Sequence, residues 1–427
     1  MSNSTETGEF ALELRNEIES RREEIVELCA ELVSALSINP EGDTRKVAEV
    51  VYQFLEKRNM EPIKIAAVET MPSVMASIDS GKSGKHLVLN VHLDTMPPGD
   101  ETLWSAPPFE LTRREGKLFG LGMGNMKGAV AAMLHAFDFL QRNKGLWSGK
   151  VTFTAVSDEV VFGVNGAGHL LNQYPELFAD ALICGEGPGF KRLANGEKGV
   201  LWLRLTANAE GGHSSSVIRG QSASAKIARA VAAIDQLTGL APGILVTGSV
   251  DQVLSEIATD RDKGDGQVLS VNIGTISSGT FIGQVSTSAQ ADVDLRLPPG
   301  ITVDEAESLV KKVLEREVGV GVIDVKRIKG WNPNVTDPKS SIVQAWNLAS
   351  ALSQVPEPEL AVRLPASDAS RWRQRGVDAI CYGPQPTASA GIDDFAFEDE
   401  VLTCVALYTL AGIVFLNSNN RSDPVGK

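Results

Sequence analysis

His86-Leu87-Val88-Leu89-Asn90-Val91-His92-Leu93-Asp94-Thr95 decides the fold class. Leu87, Leu89 and Val91 alternate with His86, Val88 and Asn90, the period of two that marks a strand, and the run ends on a histidine and an aspartate. Further strand signals lie at 62–68, 73–78, 150–156 and 180–184, with helical stretches at 44–57 and 127–141 between them. Strands alternating with helices predict an α/β fold, a mostly parallel sheet flanked by helices. Such sheets bind ligands at the carboxyl ends of their strands. His92, Asp94, Asp158, Glu159 and Glu186 all follow predicted strands, so a site is expected there.

The texture changes after residue 196. Strands are predicted at 201–207, 269–276, 284–295 and 320–328, with helices at 222–237 and 303–318, a two-layer α+β pattern inside the longer α/β frame. The expected organisation is one domain from 1–196 plus 331–427 and an inserted one at 197–330. The chain length of 427 residues also suits two cores better than one. Near the start, Leu14, Ile18, Ile25, Leu28, Leu32 and Leu36 predict one long amphipathic helix, which Asn39-Pro40 ends.

A formal charge of −14 argues against nucleic acid or an anionic membrane as partner, since either would repel the chain. Cys29, Cys184, Cys381 and Cys404 lie far apart with no metal spacing and read as buried thiols of a reducing compartment. Residues 1–10 are polar and lack an apolar leader stretch, and a cytoplasmic location is expected. The apolar run 401–416 is short for a membrane span and reads as a buried terminal helix.

Several short motifs then fall in a fixed order. They are His92-Leu93-Asp94-Thr95, Trp104 with Pro108-Phe109, Gly120 through Gly128, Ser157-Asp158-Glu159-Val160, Gly185-Glu186, Gly212-His213-Ser214-Ser215, Asp294 through Pro298, Ser367-Asp368-Ala369 and Tyr382-Gly383-Pro384. This ordered set resembles the M20 metallopeptidases, of the acetylornithine deacetylase, succinyl-diaminopimelate desuccinylase and glutamate carboxypeptidase types. The resemblance implies a zinc-peptidase-like catalytic domain, with the insert acting as lid and homodimer interface. It also implies a small-molecule substrate.

Carried over residue by residue, the family's five ligands to two metals survive only at His92 and Glu186. The bridging aspartate position holds Asn125, whose neutral amide cannot span two cations. A glutamate position holds Val160, and the late histidine falls on Ala390. No histidine follows His213, so no shift of register restores that ligand. The resemblance makes Glu159 the general base and Asp94 the group that orients His92. It makes His213, Arg296, Asn125 and Asp368 substrate-facing, and Gly283 replaces an expected asparagine. No cofactor is expected, or at most one zinc.

The expectation is therefore an enzyme repurposed for acid–base chemistry on a small carboxylate-bearing, amino-acid-like or amide substrate. Elimination, cyclisation, isomerisation and metal-free amide cleavage are all open. One rival is an amide hydrolase with a single zinc on His92, Glu186 and Asp94; another is a non-catalytic binding protein. His86, His135 and His169 stand outside the motifs and read as structural.

Overall fold

Four strands, Lys150–Val156, His86–His92, Ala181–Cys184 and Asp378–Cys381, lie side by side and parallel at the centre of the main sheet. His92 pairs with Val156, Asn90 with Cys184, and Cys184 with Cys381, so the chain leaves all four strands at one end of the sheet. The structure, a computed structural model, describes residues 2–40, 42–256, 266–386 and 391–418. The edges are antiparallel: Ser73–Asp79 pairs with Lys150–Val156, Ile63–Ile65 with Ser73–Asp79, and Ala194 with Cys381. The expected parallel character thus holds for the centre, where both faces are covered. Even the polar Asn90 is fully buried, and its amide donates to Thr154 Oγ1 at 3.1 Å.

Helix Gly128–Arg142 is buried along nearly its whole length, and helix Glu398–Asn417 packs against it with Gly412 seated on Leu140. The latter is long and apolar enough to cross a membrane, yet most of its side chains lie inside the core, as expected for 401–416. Glu398 opens its first turn and accepts from Arg113 Nε at 2.6 Å, where a negative charge complements the helix dipole.

The N-terminal stretch differs from expectation. It forms two helices, Ser2–Ser20 and Arg22–Ser34, broken at Arg21, whose backbone (φ −101°, ψ 10°) leaves the helical range. The seven-residue step from Ile18 to Ile25 keeps both apolar stripes facing the core, so periodicity alone hides the break. Leu36 lies past the helix end and is exposed.

The contacts divide the chain into one unit of 1–195, 336–360 and 367–427 and another of 196–335 with 361–366. The second unit is a four-stranded antiparallel sheet in the order Ser270–Ser278, Ser288–Leu297, Gly199–Asn208, Ile323–Trp331. Leu201, Leu203, Leu205 and Ala207 alternate inward and share a core with Ile227 and Ile234 of helix Ala223–Asp235 and Val310 and Val313 of helix Val303–Glu317. That last helix starts at a reciprocal cap: Glu305 N donates to Thr302 Oγ1 and Thr302 N to Glu305 Oε2.

Candidate active site

The strand ends of the first unit bring His92, Glu159 and Glu186 together, all buried, with one ligand atom of each within 4.8 Å of the others. His92 closes its strand, Glu159 follows Lys150–Val156 by three residues, and Glu186 follows Ala181–Cys184 by two. The shared register of the parallel strands makes these sequence-distant groups neighbours.

His92 is held on both sides. Nδ1 lies 2.9 Å from the main-chain oxygen of Asp94, which only accepts, so Nδ1 carries a proton. Nε2 faces Asn125 Oδ1 at 3.2 Å and Glu159 Oε2 at 3.8 Å. Burial alone would lower the imidazole's pKa, but the carboxylates of Glu159, Asp94 and Glu186 outweigh it and raise it to about 10.

Asp94 is the structural hub. One oxygen accepts from Glu159 N at 3.1 Å, and the other from Val160 N at 3.0 Å and Asn39 Nδ2 at 2.9 Å. Burial pushes this carboxyl up, yet His92 and these donors hold it below the ordinary aspartate range. Asp94 thus fixes the backbone that carries Glu159 as well as standing beside His92, a wider role than the orienting one the sequence implied.

Glu159 experiences the opposite balance. Burial first, then the charge of Glu186, raises its pKa well above the glutamate range, and among the described residues Oε1 has no hydrogen-bond partner. Asp368 is also buried and is raised to about 7, mainly by burial, with Arg371 and His92 opposing. Its Oδ1 lies 3.4 Å from Arg371 Nε while Oδ2 has no partner among the described residues. Arg371 in turn donates to Gly163 O at 2.6 Å in the loop that follows Glu159.

That loop is wound tightly around Asp158, which has a positive φ of 64° and accepts from Asn165 N and Nδ2 at 3.0 and 2.9 Å. A Cβ at Gly163 would sit 1.8 Å from Asp158 Oδ2, and one at Gly166 would sit 1.5 Å from Ser157 O. Only glycine fits either position. Asn39, read from sequence as a helix terminator, links the two loops by donating to Asp94 and to Asp158 at 3.3 Å. No local pattern marks it, because the partners are brought in by the sheet. Lys127, part of the Gly120–Gly128 motif but given no role there, is buried, donates toward Ala35 O at 3.3 Å, and burial pulls it down to about 7 despite Asp394.

The remaining candidates lie in the second unit. His213 is exposed, and its Nδ1 accepts from Ser215 N at 3.2 Å. Arg296 spends its Nε on Asp294, 3.0 Å from each carboxylate oxygen. A Cβ at Gly283 would come within 2.8 Å of the Phe281 ring, so the asparagine implied at this position would displace that ring.

Three converging donors, one imidazole and two carboxylates, suit one divalent cation. Val160 offers no ligand atom, and Asn125 presents a neutral oxygen already bonded to His92. Ala390 lies outside the described residues. The sequence reading put His92 and Glu186 at the residual metal position; the geometry adds Glu159 to that set and leaves Asp94 oriented toward backbone donors.

Known proteins resemble this chain in sequence and fold. A probable succinyl-diaminopimelate desuccinylase from Staphylococcus epidermidis is 24% identical over 394 residues, covering 88% of this chain and 95% of that protein. A succinyl-diaminopimelate desuccinylase from Alkalilimnicola ehrlichii is 27% identical over 257 residues, 57% of this chain and 62% of that protein. Among solved structures, an M20 family metallo-carboxypeptidase from Sulfolobus solfataricus superimposes with a TM-score of 0.70 at 18% identity, over 92% of this chain and 99% of that one. An aminopeptidase PepT from Bacillus cereus gives 0.71 at 16% identity, over 92% and 98%. Residues 88–411, from the first site-bearing strand to the terminal helix, match the family as a whole, and the chain belongs to peptidase family M20/M25/M40.

Proposed function

We propose that this protein is an acid–base enzyme acting on a small amide or amino-acid-like substrate that bears a carboxylate, with Glu159 moving the proton and no two-metal centre involved. The observation that supports it is the state of Glu159: a buried carboxyl with an unpartnered oxygen and a strongly raised proton affinity, 3.8 Å from His92 Nε2. A buried carboxyl whose proton affinity is raised above the ordinary glutamate range is suited to proton transfer. Ionised beside the His92 imidazolium, it can take a proton from a water molecule as that water's oxygen bonds to the acyl carbon; protonated, it can then give the proton to the nitrogen as the C–N bond breaks, releasing a free amine and an acid. Asp94 keeps it in place through the Glu159 and Val160 amides. Within the first unit, Asn125 and Asp368 are the groups we assign to the substrate. The names of the curated desuccinylase relatives describe removal of an acyl group from an amino acid, which favours amide cleavage among the possible reactions.

A second reading is favoured by the convergence of His92, Glu159 and Glu186 within 4.8 Å. Those residues would hold one cation such as zinc, which when bound would supply Lewis-acid polarisation of a carbonyl. His92 would then bind through Nε2 with its Nδ1 proton on the Asp94 carbonyl, the arrangement usual for ligating imidazoles. Glu159 would be a ligand, not a base.

Protein purified without chelator, analysed for zinc and assayed with N-acyl amino acids before and after chelation, separates the two. Turnover that survives chelation and disappears in Glu159→Gln supports the first reading. Turnover lost on chelation and restored by one zinc per chain overturns it in favour of the second.

A further inference from the structure

Phe395 pairs with Phe119 across two short antiparallel strands, Lys117–Phe119 and Phe395–Phe397, and the ladder continues for one more residue, with Gly120 N donating to Asp394 O at 3.0 Å. That register sets the Asp394 side chain against the loop that follows Gly120. The carboxyl is 1% exposed, and its two oxygens accept from the backbone of that loop: Gly122 N at 2.9 Å on Oδ2 and Gly124 N at 3.2 Å on Oδ1. A buried carboxylate that answers two buried amides is a fixed point, because neither amide has water to turn to.

The loop has little freedom elsewhere. Leu121 N donates to Pro108 O and Lys127 N to Gly122 O, each at 2.7 Å. Gly122 has a φ of 85°, and a Cβ there would stand 2.5 Å from Thr95 Cγ2, so the turn requires glycine. Asn125 comes next after Gly124 and presents Oδ1 to His92 Nε2 at 3.2 Å. The grip on Gly124 therefore fixes where the Asn125 side chain starts. Asp393, the neighbouring residue, does a different job: its Oδ1 accepts from Ser105 N at 2.7 Å in an exposed loop.

We propose that Asp394 is a positioning residue of the site, which by holding Gly122 and Gly124 places the Asn125 amide against His92 and so sets one of the groups that meet the substrate. Its effect on turnover rests on the acid–base reading above; the placement of Asn125 does not. The segment whose resemblance to the family put a lost ligand at Ala390 still serves the site, through an aspartate four residues on.

The test uses full-length, metal-free protein labelled with 15N-histidine, whose five imidazoles are followed by NMR, with His92 assigned by its loss in His92→Gln. Asp394→Ala is expected to move the His92 Nε2 resonance in the same direction as Asn125→Ala, with the other histidines in place. Asp394→Asn, left with one accepting oxygen for two amides, moves it less, and Asp393→Gly does not move it. With N-acyl amino acids as substrates, kcat falls roughly tenfold or more in Asp394→Ala, while the same change made in Asn125→Ala costs less than about twofold.

A His92 resonance that stays put in both Asp394 variants overturns the proposal. So does one that moves together with all the other histidines, or equally in Asp393→Gly, since either result describes general loosening. A full tenfold loss in the Asn125→Ala background overturns it as well. Where Asp394→Ala does not fold, Asp394→Asn alone decides. Wild-type protein without turnover, whose His92 still responds as expected, overturns the acid–base reading and leaves the placement standing. Turnover that depends on Glu159, with His92 unmoved in the Asp394 variants, overturns the placement alone.

Discussion

Asp94 accepts the backbone amides of Glu159 and Val160 on its two carboxylate oxygens, at 3.1 and 3.0 Å, so the residue that stands beside His92 also anchors the loop that carries the proposed base. Geometry at the proton-transfer group and at the histidine is therefore set by one side chain. Asp94→Ala leaves those amides and the Asn39 amide unmatched in the interior, at about 1–3 kcal/mol for each buried donor. The expected outcome is a loss of at least about 3 kcal/mol in urea unfolding, with turnover falling more than stability explains.

Asp368 titrates at about 7, above its ordinary value of 3.8, mainly because it is buried. An acid whose folded pKa is raised adds nothing unfavourable below its unfolded value, and its stability contribution is lost as pH rises through the folded one. Asp368→Asn is accordingly expected to stabilise the protein at pH 7.5 by roughly 1–3 kcal/mol and to have no effect near pH 3.5, as read from denaturation midpoints across that range. Such a gain on removing a native group is the signature of a site kept for function at the expense of stability.

His135 has no partner for either ring nitrogen among the described residues, packs edge-on against Phe54 at 5.1 Å, and is lowered to about 3, first by burial and then by Arg58, Arg21 and Arg142. A base whose folded pKa is depressed contributes stability above its unfolded value of about 6.5, and that contribution is lost as pH falls toward 3. The slope reaches about 1.4 kcal/mol per pH unit for one group. His135→Leu should flatten the acid limb of the stability profile between pH 6 and 4 while leaving neutral-pH activity intact.

The strand-end residues were legible in the sequence because their chemistry is local: a period-two apolar run ending in His92 and Asp94, and carboxylates directly after two more runs. The central parallel sheet and the terminal helix followed from the same patterns. Contacts built by the sheet were not legible. Asn39 reaches Asp94 and Asp158 across the fold, and nothing around it in the chain announces this. Glu159 was readable as a base but not as the third member of a cluster with His92 and Glu186, because that depends on strand register. The break at Arg21 was hidden by a seven-residue spacing that serves one helix or two equally well.

Asn125 accepts from His92 Nε2 at 3.2 Å with a neutral oxygen, where a carboxylate would add the charge that metal binding needs. Asn125→Asp is expected to tighten zinc binding by roughly tenfold or more, measured by competition with a chromogenic chelator. Adding Val160→Glu should create a second, weaker site, while Val160→Glu alone should not.

The central claim, that this member of the family works without a metal pair, is tested most directly by the zinc content of protein purified without chelator from zinc-supplemented growth. At most one equivalent per chain is predicted, bound through His92, Glu159 and Glu186 and lost in His92→Ala. Two tightly held equivalents per chain would contradict it.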